Sequence, residues 1–343
     1  MGSVAFDSIE TPFGKVKKTL GGSAGYFSLA ASFFARPSVV AVVGKDFADK
    51  YRDILKKKNI DLSGLQTTKG KTFSWGGKYS FDLNNRETLF THLNVFENFK
   101  PKLSADHKTA EYVFLGNIHP ALQLDVLSQV KKPKLVGLDT MNLWIEKTPK
   151  ELAKILKLAD IFVINDSEAR QLSGEHNLVK TAKKILRMMG TKTADKSARY
   201  KTLIIKRGEY GLLMFRTVFP SPSLSAEASA KADGRGVRGE GSMKIFHLPG
   251  FPLEDVIDPT GAGDSFAGGF MGYLCRVVSS LSAVASAKEE PYPTWDDLKR
   301  ACVAGSVMAS FCVEKLGTLK LQEISQKDLD RRFMEFKQLT HFN

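Results

Sequence analysis

The sequence predicts an α/β fold in which a mostly parallel β-sheet is flanked by helices on both faces. Short apolar runs recur along the chain, at residues 39–43, 112–115, 134–138, 161–164 and 202–205. Amphipathic stretches separate these runs. Strands that are apolar on both sides are buried on both faces, and their alternation with helices is typical of a parallel sheet.

Helices are predicted where apolar residues recur every three or four positions. Two such sets are Phe47, Tyr51, Ile54 and Leu55, and Leu152, Ile155, Leu156 and Ala159. Three further helical segments begin at about Gly261, Trp295 and Ser325.

Polar residues stand at the carboxyl ends of several predicted strands, namely Asp139, Asn165, and Lys206 with Gly208. In open parallel sheets, ligands bind at this edge. The sequence therefore places its candidate site there.

A different pattern covers residues 65–98. Residues 72–75 and 78–81 alternate polar and aromatic side chains around Gly76 and Gly77, which predicts a β-hairpin with a glycine turn. Together with residues 9–20, this hairpin would form a small sheet that acts as a lid. An ordinary edge hairpin is the alternative.

Residues 1–343 are predicted to form a single domain. Residues 220–242 are rich in Ser, Ala, Gly and Arg, which indicates a flexible insertion between strands at 212–215 and 244–248. Residues 1–7 resemble the end of a strand, either because the first strand is short or because the chain starts later than related chains do.

The composition is ordinary for a soluble protein, with 43% hydrophobic and 25% charged residues. Three cysteines without metal-ligand spacing, and no apolar run of 18 residues, favour a cytoplasmic protein without a membrane segment. The net charge of +13 is spread over short clusters such as Lys56–Lys58, which argues against nucleic acid as the partner.

The most specific motif is Asp258-Pro259-Thr260-Gly261-Ala262-Gly263-Asp264, followed by a run of small and apolar residues. Glycines allow backbone N–H groups to converge at the start of a helix, where they can bind a phosphoryl group. Asp264, in or beside the first helical turn, is placed to accept a proton from an attacking hydroxyl. A glycine turn with an aspartate cap is the alternative for a shorter motif of this kind.

Three weaker motifs accompany it. Gly21-Gly22 leads into a helix, and Asn165-Asp166-Ser167-Glu168 follows an apolar strand. Lys206-Arg207-Gly208-Glu209-Tyr210-Gly211 follows another strand. Taken alone, they could be a packing turn, a helix cap and a hairpin turn. No Walker-type phosphate loop occurs, which argues against a P-loop enzyme.

Taken in order, these motifs resemble those of the ribokinase-like (PfkB-type) carbohydrate kinase family, which includes sugar, nucleoside and some vitamin-precursor kinases. The resemblance extends from Gly2 to about Gly317. It implies a doubly wound α/β body with a small β-sheet lid, ATP as the phosphoryl donor, and Mg²⁺.

The resemblance also implies a role for each matching residue. Asp264 corresponds to the catalytic base, and Gly261, Ala262 and Gly263 to the anion hole. Asp7, Gly21, Gly22 and Asn117 correspond to residues that bind the substrate, and Asp264 corresponds to a substrate contact as well. Asn165, Glu168, Lys206, Gly208, Gly211 and Gly263 correspond to the ATP side. Glu168 is linked to Mg²⁺ through water, and Asp258 and Thr260 to a K⁺ site found in some members.

The chain departs from the family pattern at two positions. Tyr26 stands where the family commonly has asparagine, which changes the substrate pocket. Asn117 stands where ribose kinases carry an acid, which makes ribose itself a poorer fit. Phe73, Trp75 and Tyr79 in the lid could stack on a nucleobase or simply pack within the hairpin.

We therefore expect an ATP-dependent kinase that transfers the γ-phosphoryl group to a primary hydroxyl of a small sugar-type substrate. A nucleoside kinase of the adenosine-kinase type is the alternative that the sequence does not separate from it. A non-catalytic ligand-binding protein, or a nucleic-acid-binding one, agrees less well with the intact motif at 258–264. The expected partners are the substrate and ATP, and a homodimer is left open.

Overall fold

The computed structural model describes residues 1–190, 200–217, 243–284 and 292–340. The strands are β1 Ala5–Thr11, β2 Gly14–Gly21, β3 Ala41–Gly44, β4 Leu65–Thr68, β5 Ser74–Tyr79, β6 Arg86–His92, β7 Tyr112–Leu115, β8 Leu135–Asp139, β9 Ile161–Asn165, β10 Thr202–Lys206, β11 Leu212–Thr217 and β12 Met243–Leu248. The predicted insertion at 220–242 lies outside the described residues.

The α-helices of the described ranges cover the strands. They are α1 Ser23–Ala31, α2 Asp49–Lys57, α3 Ala105–Lys108, α4 Pro120–Gln129, α5 Asn142–Lys147, α6 Pro149–Leu158, α7 Asp166–Ser173, α8 Leu178–Met189, α9 Ala262–Val284, α10 Trp295–Cys312, α11 Leu319–Glu323 and α12 Gln326–Thr340. The last three predicted helical segments begin within one residue of α9, α10 and α12.

A six-stranded sheet with the order β12-β11-β10-β9-β8-β7 forms the centre of the body. Strands β7 to β10 run parallel, whereas β11 and β12 are antiparallel to their neighbours. The carboxyl ends of β8, β9 and β10 therefore meet at one edge, as the sequence predicted.

Each face of this sheet carries its own apolar core. Val163 and Ile204 pack in a cluster with Phe270 of α9 and Val307 of α10. Their neighbours in β9 and β10 point the other way and pack in a second cluster with residues of α6 and α8. Because side chains alternate across a strand, wholly apolar strands require this covering on both faces. The predicted doubly wound α/β fold is confirmed.

The first residues of the chain add main-chain pairing between β3 and β7. The Met1 amino group donates to Phe114 O at 2.8 Å, and Gly116 N–H donates to Met1 O at 2.8 Å. Gly2 N–H donates to Val40 O at 3.4 Å. A mostly apolar cavity of about 390 Å³ lies beside this segment, lined by Val39 and Val40 just before β3 and by residues of β7. β3 pairs in parallel with β4 on its other side.

The small sheet forms, with the order β2-β1-β5-β6, but its predicted turn is wrong. Gly76 and Gly77 lie inside the continuous strand β5, at a register shift, and the chain reverses between Tyr79 and Arg86. A Cβ at Gly76 would lie 2.3 Å from the Phe90 ring, and one at Gly77 would lie 2.2 Å from the Trp75 ring. The glycines therefore make room for aromatic rings instead of turning the chain.

The small sheet takes less of the chain than the predicted range of 65–98. β4, within that range, pairs with β3 in the body. Phe96 and Phe99 are buried in the core cluster of the body. From this range, only β5 and β6 contribute to the small sheet, whereas residues 9–20 contribute to β1 and β2.

Cys275, Cys302 and Cys312 are all unpaired thiols. Across the described ranges, no helix combines the length and the apolar character that crossing a membrane would need.

Candidate active site

The ends of three parallel strands supply a cluster of polar side chains. Asp139 ends β8, Asn165 ends β9 and Lys206 ends β10. The Lys206 Nζ lies 3.8 Å from Asp139 Oδ2, and the Asp139 side chain is buried. The structure thus brings together the residues that the sequence placed at this edge.

The glycine motif leads directly into α9. Gly261 has a φ of 75°, and a Cβ there would lie 2.2 Å from the ring of Tyr26. Because both the left-handed backbone and the contact exclude a side chain, only glycine fits at this position. Tyr26, the departure from the family pattern, thus packs directly beneath the motif.

The first turn of α9 leaves backbone donors free. Ala262 N–H donates to Pro259 O at 3.2 Å, and Ser265 N–H donates to Gly261 O at 2.8 Å. Within the described ranges, the N–H groups of Gly263 and Asp264 have no main-chain acceptor. Such groups at a helix N-terminus attract an anion.

Lys206 lies against this helix end. A Cβ on Gly263 would come within 2.6 Å of the Lys206 Nζ. The ammonium group therefore lies close to the start of α9, and together with the free N–H groups it supplies donors suited to a phosphoryl group.

Asp264 lies in the first turn of α9 and faces this cluster. Burial, and after it the negative charge of Asp139, raise its pKa to about 7, against the opposing charge of Lys206. A carboxyl group with a pKa near neutrality can both accept and release a proton at physiological pH.

Asn165 and Glu168 form a capping box at the start of α7. Asn165 Oδ1 accepts from Glu168 N–H at 2.8 Å, and Glu168 Oε2 accepts from Asn165 N–H at 3.2 Å. Burial, followed by the charge of Asp139, raises the pKa of Glu168 to about 7. The helix-cap interpretation therefore holds structurally, while the carboxyl group still lies within the electrostatic reach of Asp139 and Lys206.

Asp7 and the Gly21-Gly22 turn meet at the boundary between the small sheet and the body. Gly22 N–H donates to Asp7 Oδ2 at 3.4 Å, and a Cβ at Gly21 would overlap that carboxylate. Burial raises the pKa of Asp7 to about 7, although the Gly22 hydrogen bond opposes this. Since the charge of Asp7 also raises the pKa of Asp264, the two carboxyl groups belong to one site.

Asn117, after β7, lies beside aromatic residues. Trp144 Nε1 donates to Asn117 Oδ1 at 2.9 Å, and the His119 ring lies edge-on to Trp144 at 5.0 Å between centroids. Asn117 Nδ2 contacts Met141 Sδ at 3.3 Å. These side chains form a partly aromatic wall next to the end of β7.

Asp258 and Thr260, expected at a cation site, make protein hydrogen bonds. Asp258 Oδ1 accepts from Thr260 N–H at 2.9 Å, and Oδ2 accepts from Gly317 N–H at 2.7 Å. The Thr260 hydroxyl bonds to the Tyr79 hydroxyl at 3.0 Å. The carboxylate thus braces the glycine motif against the segment that follows α10.

Gly208 and Gly211 turn the β10–β11 hairpin, close in sequence to Lys206. Gly208 has a φ of 57° and open space around it. A Cβ at Gly211 would lie 2.0 Å from Leu248 O. The requirement for glycine at 211 is therefore explained by packing, whereas Gly208 lies at an open surface.

Sequence reasoning missed Arg86 of the small sheet and the contact that Tyr79 makes with the glycine motif. Tyr79 reaches Thr260, and Arg86, its partner across β5 and β6, lies over the Trp75 ring at 5.0 Å. The charge of Arg86 acts on Asp7 and lowers its pKa, against the larger effect of burial. Placing the turn correctly at 80–85 would have revealed this pair. Asp139 was noticed as a strand end but not assigned to the site.

A doubly wound body, a small sheet beside it and a glycine-rich helix end facing a buried aspartate define the class of ribokinase-like kinases. A family model described as pfkB family carbohydrate kinase matches residues 5–324. The chain belongs to this family and is a phosphotransferase.

Individual relatives agree with the family. A cytidine kinase from Thermococcus kodakarensis is 28% identical over 283 residues, covering 80% of this chain and 87% of that protein. An adenosine kinase from Schizosaccharomyces pombe is 21% identical over 279 residues, covering 76% and 75%. The structure of a ribokinase from Giardia lamblia superposes with a TM-score of 0.70 at 19% identity, covering 98% and 97%, which shows the shared fold.

Proposed function

We propose that this kinase transfers the γ-phosphoryl group of ATP to the primary hydroxyl of a nucleoside, with a small sugar as the second candidate. The observation that carries the phosphoryl transfer is the end of α9, where free N–H groups and the Lys206 ammonium group lie next to Asp264. Each part has a distinct task in such a reaction.

Asp264 is proposed as the general base. The attacking hydroxyl must lose its proton as it bonds to phosphorus, and a carboxylate at the start of α9 can accept that proton. The buried setting that raises its pKa to about 7 also makes the carboxylate a stronger base than an exposed one.

The anion hole would stabilise the charge that develops on the transferred group. The N–H groups of Gly263 and Asp264 and the Lys206 ammonium group supply donors that need no rearrangement. Asp139 lies 3.8 Å from Lys206 and holds the ammonium group at this place. The nucleotide would extend from here toward the hairpin that carries Gly208 and Gly211.

The acidic side chains fit a magnesium ion that accompanies ATP. In the described ranges, no group of three or more His, Cys, Asp or Glu side chains is arranged to hold a metal. Mg²⁺ commonly binds through one or two carboxylates, water and substrate phosphates, and Glu168 with Asp139 supplies such carboxylates. The ion would neutralise phosphate charge. K⁺ at Asp258 and Thr260 would share oxygens that already accept or donate protein hydrogen bonds.

A ribose ring fits the boundary between the small sheet and the body. Asp7 and the Gly21-Gly22 turn offer a carboxylate and close backbone approach, which suit sugar hydroxyl groups. Near the end of β7, Trp144, His119 and Asn117 offer aromatic surface and an amide, which suit a nucleobase. This wall, together with the names of the cytidine and adenosine kinase relatives, favours a nucleoside over a free sugar.

A substrate panel tests the proposal. Purified protein is incubated with ATP, Mg²⁺ and single nucleosides or sugars, with and without K⁺, and ADP formation is measured. We expect at least one nucleoside to give a kcat/KM at least tenfold above every free sugar. A free sugar preferred over all nucleosides would reverse the substrate order, and no turnover with any acceptor would contradict the proposal.

Replacement of Trp144 with leucine should raise KM for the nucleoside more than for a sugar.

A further inference from the structure

A tyrosine of the small sheet is bonded directly to the glycine motif of the body. Tyr79 ends β5, and its hydroxyl lies 3.0 Å from the Thr260 Oγ1. Both side chains are buried, at 8% exposed. Leaving a buried hydroxyl without its hydrogen-bond partner costs free energy. This contact therefore strongly favours one position of the small sheet relative to the body.

Thr260 is held on its other sides by the body. Its N–H donates to Asp258 Oδ1 at 2.9 Å, and its carbonyl oxygen accepts from Cys312 Sγ at 3.4 Å. The next residue is Gly261, whose left-handed backbone starts the anion hole. Any rotation of Thr260 therefore moves the glycines that follow it.

The same end of the small sheet carries a positive charge. Arg86 lies opposite Tyr79 in the β5–β6 pairing, and its charge acts on both Tyr79 and Asp7. One end of the sheet thus places a hydroxyl on Thr260 and a cation toward the buried carboxyl group of the predicted substrate site.

We propose that Tyr79 is a positioning residue, whose hydroxyl sets the anion hole through Thr260 and makes the hole depend on the docked position of the small sheet. This inference rests on the phosphoryl transfer proposed above. When the sheet is docked, Thr260 and the glycines after it are fixed. When the sheet moves away, the loop loses this bond and the helix end loses its fixed geometry. The chain thereby links substrate enclosure to the readiness of the site.

Tyr79→Phe tests the role of the hydroxyl, with Tyr51→Phe as the matched control. Tyr51 of α2 also reaches the small sheet, since its hydroxyl donates to Lys18 O at 3.3 Å, but it does not contact the glycine motif. We expect Tyr79→Phe to lower kcat about tenfold, which is the effect expected from the loss of one hydrogen bond. The KM for ATP should stay within about twofold of the wild-type value. Tyr51→Phe should stay within about twofold in both. A Tyr79→Phe kcat within about twofold of the wild type would overturn the proposal.

A double-mutant cycle with Thr260→Val tests the link itself. If Tyr79 acts through Thr260, the double variant should be no slower than the slower single variant. Effects on kcat that multiply would show that the two residues act independently, which would overturn the proposal. Thr260→Val removes the same bond from the other side, so it also serves if Tyr79→Phe does not fold.

Hydrogen exchange separates this inference from the proposed function. In the protein without ligands, the hydrogen-bonded amides of Thr260, Ala262 and Ser265 should exchange faster in Tyr79→Phe than in the wild type, whereas Tyr51→Phe should leave their exchange unchanged. This result does not require a known substrate. Equal exchange in all three proteins would overturn the positioning role, even for an active kinase. Faster exchange in a protein that shows no kinase activity would instead leave the coupling intact and overturn the proposed function.

Discussion

Single residues at the helix end define the chemistry that this site can perform. Asp264, Glu168 and Asp7 each have a pKa raised to about 7, with burial as the largest cause in each case. The positive charge of Lys206 opposes the shifts of Asp264 and Glu168, and that of Arg86 opposes the shift of Asp7. Such a group of carboxyl groups is poised to exchange protons near neutral pH, which is unusual for residues that serve only the fold.

The pH dependence of turnover should report this group. A general base must be deprotonated, so kcat/KM should fall about tenfold per pH unit as the pH drops below about 7, and level off above it. Rate profiles of the wild type and of Glu168→Gln from pH 5 to 9 measure this. The acid limb should persist in Glu168→Gln, at a lower plateau. Loss of the limb in that variant would assign it to Glu168 instead of Asp264.

Gly263 is needed for access of Lys206 to the helix end. In Gly263→Ala the new Cβ would meet only the flexible end of Lys206, so the melting temperature should change little. The ammonium group would be displaced, and kcat/KM for ATP should fall about tenfold or more. Gly25→Ala, in open space within α1, is the control and should keep full activity. Equal activity of both variants would argue against a role for Lys206 at Gly263.

Strands and helices were largely predictable where burial dictated the sequence. β7 to β10 are apolar along most of their length because both faces are covered, and the runs at 112–115, 161–164 and 202–205 were found within one residue. The strands of the small sheet were not predicted correctly, because Gly76 and Gly77 resemble a turn in sequence. Their actual partners, Trp75 and Phe90, become visible only in three dimensions. Local glycine patterns do not distinguish a turn from a close contact.

The β11–β12 pair predicts that the segment between its strands is dispensable. Thr217 and Met243 are paired across the antiparallel ladder, so a short turn can join the two strands. Replacing residues 219–241 with a two-residue Asn-Gly turn should keep the melting temperature within a few degrees and turnover within about twofold. Thermal unfolding and the kinase assay measure this. A large loss of either would show that the segment packs against the protein or binds a ligand.

In the described part of the molecule, a body carries the proposed phosphoryl site and a small sheet borders the proposed substrate site. The motif at 258–264 predicted the helix end, and the strand ends predicted Lys206 and Asn165. The sequence could not reveal the bond between Tyr79 and Thr260, because it joins residues 181 positions apart. Contacts between parts leave no local pattern, so their role emerges only from the assembled structure.

Closure of the small sheet over a substrate should change the surroundings of Trp75. Its ring lies under the Arg86 guanidinium group at 5.0 Å, which a moving sheet would disturb. Substrate should change the fluorescence of the wild type, and Trp75→Phe should lose most of that change, whereas ATP alone should have a much smaller effect. Trp144 lies in the predicted substrate wall, so Trp75→Phe is the necessary comparison. An identical substrate response in Trp75→Phe would remove closure from the mechanism.

The position of the transferred phosphate, compared between the wild type and Asp264→Asn, tests the central claim most directly. With ATP, Mg²⁺ and the best nucleoside or sugar from the panel, ³¹P NMR of the product should show one phosphate on the primary hydroxyl. Asp264→Asn should bind ATP nearly as well but form product at a rate lower by roughly 10² or more, the usual scale for a positioned base. Product formation within a few-fold of the wild type, or a phosphate on a different hydroxyl, would contradict the role assigned to Asp264 at the end of α9.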